Sequence, residues 1–248
     1  VPAIRTPVRR FLNRSIHAAW QWVERVGDVG PDTDLADDFG SFGRGSCLAF
    51  PLSVIFNAAS IHVGEGTLIG KYATLSVGYG PTQERLPERG LVIGDRCVLG
   101  ARVCITAHES IEIGDDVWFG QDVFVSDASH GYQDPDVPVG RQFGAHQPVR
   151  IGAGSWIGHG AMILPGTTIG CNVVVAAGSV VRGTIEDHAI VGGVPARPIR
   201  RLEPGIGWVS QGPSLDVRTV RTVAEQYAEL TAHAERDAAD TEREVAEA

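Results

Sequence analysis

Nothing in the 248-residue chain is apolar for long enough to span a bilayer, and no secretory hydrophobic segment is present. Membrane insertion and export by a cleaved leader are therefore not expected. Basic residues are scarce, with 21 Lys and Arg against 30 Asp and Glu, a net charge of −9. That balance argues against nucleic acid as the main partner, because backbone-phosphate binding needs a cationic surface. One local basic cluster can still hold an anionic cofactor. Cysteine is limited to Cys47, Cys97, Cys104 and Cys171, with no C-x-x-C pair and no disulfide-like framework. These read as reduced packing residues of a cytoplasmic protein. Aromatics are few, at 7%, whereas glycine is abundant, at 31 residues.

Where those glycines fall is informative. Ile151, Ile157, Ile163, Ile169, Val175 and Val181 recur at a spacing of six, and Gly152, Gly158 and Gly170 directly follow three of them. This period suits neither an amphipathic helix nor a long strand; it describes a very short strand and a turn, used repeatedly. Two residues before each aliphatic stand Val149, Ser155, Ala161, Thr167, Val173 and Ser179. Side chains alternate across a strand, so both sets point into a shared interior. The glycines supply turns, where a missing Cβ permits positive φ or close backbone approach. The stretch is predicted to be a parallel β-helix, which grows along its axis without needing a thicker core.

In chain order, Arg10 to Val26 carries Phe11, Leu12, Ile16, Ala19, Trp20, Trp22, Val23 and Val26 at helical spacing, ended by the acidic segment 27–38. Such a stripe could be a membrane or partner face, but packing against the solenoid is expected. Residues 39–60 look like an irregular first coil. The repeat becomes legible at Val63-Gly64, is interrupted by a polar loop over 79–90, resumes at Ile93-Gly94, shifts by two residues at Ile111, and breaks again at 127–148. About five or six coils stacked at ~4.8 Å would give a prism roughly 25 to 30 Å long. Residues 192–201 leave the repeat, since their prolines are not expected in a ladder. Residues 216–246 are rich in Ala and Glu and are predicted to be helical.

The order Ile151-Gly152-Ala153-Gly154-Ser155-Trp156-Ile157-Gly158, Ile163-Leu164-Pro165-Gly166-Thr167-Thr168-Ile169-Gly170, Ala177-Gly178-Ser179-Val180-Val181 and Gly192-Gly193-Val194-Pro195-Ala196-Arg197 resembles the hexapeptide-repeat acyltransferases. Within them it is most similar to sugar and polysaccharide O-acetyltransferases of the maltose, galactoside and nodulation-factor type. The resemblance covers about residues 60–202. It implies an all-β fold, a left-handed parallel β-helix with an N-terminal helix, a protruding catalytic loop and a C-terminal helix. The expected division is 1–45 as an N-terminal helical and irregular segment, 46–191 as the β-helix with its inserted loop at 127–148, and 192–248 as the closing segment and helix. The resemblance also implies a homotrimer with active sites between adjacent prisms, and acyl-CoA (acetyl-CoA or succinyl-CoA) as a co-substrate.

A solenoid gains nothing from a long loop thrown out of its coils, so such a loop points to function. This one reads Ser126-Asp127-Ala128-Ser129-His130-Gly131-Tyr132-Gln133-Asp134-Pro135 and resembles the loop bearing the family's catalytic histidine, which His130 matches. The chemistry asks for such a group independently: an alcohol attacks a thioester poorly at neutral pH, and a neutral imidazole is suited to take its proton. Direct attack without an acyl-enzyme is expected, with His130 then protonating the departing thiolate. Asp127, Asp134 or a backbone carbonyl could orient the ring. Asp127, His108 and Tyr132 are candidates for contact with the acceptor. His108 falls near where relatives often carry a polar residue, commonly Asn, which this chain lacks. His146 and His159 read as solvated turn residues.

Carried over by position, the coenzyme site comprises Trp156 at the thioester end, and Gly158, His159, Gly160, Ala177 and Gly178 along pantetheine. Arg182, beside Gly183 where relatives place Thr-Lys, is expected at a phosphate. Arg197, Arg200 and Arg201 would meet adenine and the 3′-phosphate. A dicarboxylic donor would need a cation at the acyl end, for which Arg102 and Arg141 are available. Two other classes are compatible with the same prism. Zinc carbonic anhydrases on the same prism use a His-x-x-x-x-His pair, whereas the nearest histidines here, His146 and His159, are thirteen apart, so no metal is expected. A non-catalytic trimeric scaffold would bind no coenzyme A. Transfer to an amino group or a small xenobiotic is the alternative within acyl transfer.

Overall fold

The six-residue period closes into a three-faced coil. The computed structural model describes residues 6–80 and 85–210; the expected C-terminal helix and His233 lie outside them. The first face has seven parallel strands, from Ser41–Phe42 to Thr184–Ile185, and the third has six, from Val54–Phe56 to Val180–Val181. The second has seven parallel strands, from Cys47–Leu48 to Ala189–Gly193, with Ala196–Glu203 and Gly207–Ser210 added antiparallel at its end. Six spacings of about 4.8 Å separate seven strands, so the parallel stack is roughly 29 Å deep.

Stacking in register is what makes two-residue strands sufficient. Ile113, Ile151 and Ile169 pair on the first face, Phe119, Ile157 and Val175 on the second, and Val125, Ile163 and Val181 on the third. All are buried, as are the preceding Val149, Ser155, Ala161, Thr167, Val173 and Ser179. The first coil is more regular than expected: residues 41–56 contribute one strand to each face. Segment 27–39 covers the open end of the core, with Val29, Ala36 and Phe39 buried against it. Terminal coils of a solenoid need such a cover.

Glycine serves two separate purposes at the corners. A Cβ on Gly158 would sit 2.6 Å from the Ala177 backbone nitrogen of the next coil, so only glycine permits the coil spacing there. Gly160 faces open space but has φ of +65°, which side chains disfavour.

Two expectations are corrected. Residues 196–203 do join a ladder: Pro198 lies opposite Val191 beside a register irregularity, where a missing N–H costs nothing. The N-terminal helix, α1 (Thr6–Gly27), does not lay its stripe on the prism. Val8, Phe11, Leu12, Ile16, Trp20, Trp22 and Val26 are all exposed. Among the described residues the end of α1 is fixed by a Glu24–Lys71 ion pair at 2.6 Å and by Gly27 lying so close to the Phe50 ring that a Cβ would meet it at 2.6 Å.

Candidate active site

Departures from the period collect at one edge. Tyr79, His108 and Asp127 follow closely on the third-face strands Thr74–Val77, Cys104–Ala107 and Phe124–Ser126, which are neighbours in the sheet. The loop at 78–90, the two extra residues before Ile111 and the insertion at 127–148 therefore all leave between the third and first faces. Within the insertion, Ala128–His130 and Phe143–His146 pair as an antiparallel hairpin with His130 opposite Phe143.

Between hairpin and edge lies a cavity of about 300 Å³ whose lining includes Tyr79, His108, His130, Arg141, Gln142 and Phe143. His130 is exposed at this cavity, and among the described residues no hydrogen bond or ion pair holds its ring. Neither candidate orienting carboxylate reaches it. Asp134 accepts the Asp136 backbone N–H at 3.0 Å. Asp127 is fully buried and accepts the backbone N–H groups of His108, Glu109 and Ser110 at 2.8 to 3.0 Å.

Asp127, expected at the acceptor, thus has its oxygens taken up inside the fold. Tyr132 is 75% exposed and outside the cavity lining, so it too makes no part of the pocket. His108 does. Its side chain is largely buried, and Nδ1 lies 3.4 Å from Asp127 Oδ1 at an angle that makes no hydrogen bond. Its ring packs edge-on to Tyr79 at 4.6 Å and lies 5.3 Å from His146. His146, expected to be a solvated turn residue, is half-buried and shares a hydrogen bond with the Tyr79 hydroxyl. Sequence reading passed over Tyr79, Gln142 and Phe143. Counting each interruption against the coil length would have placed Tyr79 beside His108.

The coenzyme candidates lie elsewhere on the prism. Gly158, His159, Gly160, Ala177 and Gly178 share the edge between the second and third faces, where the Gly178 N–H donates to the His159 carbonyl at 2.8 Å. Trp156 is exposed on the second face, paired with Trp118. Arg197 and Arg200, three residues apart on Ala196–Glu203, stand opposite Gly192 and Ile190, with the register irregularity between them. Arg182 is exposed at the other end of the third face, on the edge that carries the hairpin. Of the two cations considered for the acyl end, Arg141 lines the cavity. Arg102 instead binds Asp122 at 2.6 Å, and that hydrogen bond holds the Asp122 carboxyl below its ordinary range. Burial pushes the Cys47, Cys97 and Cys104 thiols up, which leaves them poor nucleophiles.

A stacked-coil solenoid with a histidine-lined recess at one edge is the architecture of a repeat-built enzyme. Its sequence matches known repeats: bacterial transferase hexapeptide (six repeats) over residues 148–183, and the hexapeptide repeat of succinyl-transferase over residues 90–120. A Mycobacterium tuberculosis protein described as a probable acetyltransferase is 34% identical over 145 residues, covering 58% of this chain and 45% of that protein. An Escherichia coli protein, WbbJ, named for O-acetyl transfer in lipopolysaccharide biosynthesis, is 32% identical over 154 residues, covering 59% of this chain and 74% of its own length. Among solved structures, a mutant of the Bacillus cereus N-acyltransferase AntD with dTDP and coenzyme A shares the fold at a TM-score of 0.54 and 22% identity, over 68% of this chain and 87% of that one. The chain belongs to the hexapeptide-repeat acyltransferase family, whose members are built on a left-handed β-helix.

Proposed function

We propose that the protein transfers an acyl group, acetyl in the first instance, from acyl-CoA to a hydroxyl of a sugar or polysaccharide precursor. The observation that carries this reading is the cavity beside the hairpin, where the His130 imidazole meets space for a small acceptor. The lipopolysaccharide-related name of the E. coli relative supports a sugar acceptor. His130 takes the hydroxyl proton as the oxygen attacks the thioester carbonyl; the C–S bond then breaks and the proton passes to the thiolate. Among the described residues its ring has no fixed partner, which accords with catalytic hydrogen bonds that tighten only once substrate is bound.

The cavity and the glycine edge lie on different sides of one prism, so donor and acceptor meet most simply between copies. A homotrimer with three shared sites accommodates this, each combining one copy's hairpin with its neighbour's Gly158 to Gly178 edge. Arg141 at the cavity leaves room for a dicarboxylic donor such as succinyl-CoA.

A second reading makes His108 the base, favoured by its 3.4 Å approach to the buried Asp127 carboxylate. The deciding experiment screens acyl-CoAs against mono- and oligosaccharides by free-thiol release, with wild type, His130→Ala and His108→Ala in parallel. Loss of turnover in the His130 variant with coenzyme A binding retained supports the first reading; loss confined to the His108 variant supports the second. A protein that binds no coenzyme A would be a scaffold.

A further inference from the structure

The exposed stripe of α1 is unused by the cavity, the glycine edge or the core. At about 100° per residue, Val8, Phe11, Leu12, Ile16, Ala19, Trp20, Trp22, Val23 and Val26 occupy one half of the helix. Phe11, Ile16, Trp22 and Val26 are each 63% or more exposed. The same geometry sets Arg9 on one border of this strip and Arg14 and Arg25 on the other, with Arg10 and His17 at the centre of the polar half. None of these arginines has an ion-pair partner among the described residues, and the helix's one acid, Glu24, is committed to Lys71. Four arginines on one helix, without an ion pair among the described residues, are conspicuous in a chain of net charge −9.

We propose that α1 is a docking helix for an anionic lipid bilayer, lying in the plane of the surface with its aromatic half among the acyl chains. Charge decides the occupant. Arginines bordering an apolar strip extend to lipid phosphates while their stems stay apolar, and an anionic leaflet attracts each one. A second copy of the same basic helix would bring like charges together along both borders. Tryptophan beside the polar face suits the headgroup boundary. Among the described residues no helix is long and apolar enough to cross a membrane, so α1 lies on the surface and does not span it. Its fixed end, at Glu24 and Gly27, would hold the prism beside that surface. The inference does not depend on the acyl-transfer reading.

The test is flotation of the full chain with vesicles of phosphatidylcholine alone and mixed with phosphatidylglycerol, at low and high salt. Wild type should associate with the anionic vesicles at least about tenfold more than with neutral ones, and high salt should weaken the association. Phe11→Ser with Trp22→Ser, and separately Arg9, Arg14 and Arg25 changed to Ser, should each lower it at least about tenfold. Melting temperature should hold, because all five side chains are exposed. Wild type that stays with the aqueous phase, or variants that float equally well, would overturn the proposal. So would light scattering in which the Phe11→Ser, Trp22→Ser protein falls to a smaller assembly than wild type, since the strip would then be a contact between copies.

Discussion

Asp127 and His130 are three residues apart and behave in opposite ways. Asp127 is sealed inside the edge and satisfies three backbone N–H groups. Its replacement by Ala should orphan those donors, at about 1 to 3 kcal/mol for each that water cannot reach. A loss of about 2 to 5 kcal/mol is expected, read from the urea midpoint with the slope unchanged. His130 fills no core volume, so His130→Ala should leave the melting temperature nearly as it was. Acyl transfer should fall by about 10² to 10⁴, the ordinary contribution of a positioned base. A variant that keeps wild-type turnover on a competent acceptor would remove His130 from the reaction and turn attention to His108.

At the scale of the element, each six-residue unit is a strand too short to survive alone, held by the coil above and below. Corner glycines let those coils approach. Gly158→Ala sets a methyl against fixed backbone at 2.6 Å, so a coil must move; Gly160→Ala meets open space and faces only its φ of +65°. The first should cost more than the second, which is expected at about 1 to 2 kcal/mol, and thermal unfolding of the pair would show the order. Equal costs would mean that coil spacing tolerates a Cβ. Insertions follow the same logic, because a coil accepts extra residues only at a corner. Three of them share one corner, and their walls enclose the cavity.

For the whole molecule, the question is how cavity and glycine edge come together. Light scattering should give about three times 26.4 kDa if neighbours complete each other's sites; a monomer at working concentration would leave the two halves apart. Arg197 and Arg200, on the antiparallel strand added at the end of the second face, are expected to meet the 3′-phosphate of coenzyme A. Changing both to Ala should weaken coenzyme A by at least about tenfold, and dephospho-coenzyme A much less, since each charge-assisted bond contributes about 1.5 to 3 kcal/mol. Equal losses in calorimetry would assign these arginines another role.

The repeat was legible because a solenoid is nearly one-dimensional: each coil meets only its neighbours, so the local period of Ile151 to Val181 states the packing directly. The same locality made the interruptions at 79–90 and 127–148 visible, and with them His130. What the sequence could not state was where those interruptions meet. Tyr79, His108 and His146 come together only because three coils place their departures at the same corner, and that depends on stacking register. Asp127 looked available beside His130, but burial and three backbone donors decide its role. The stripe of α1 was plain in the sequence, yet periodicity records only that a face is apolar; whether that face is covered is decided by tertiary contact, and among the described residues nothing covers it.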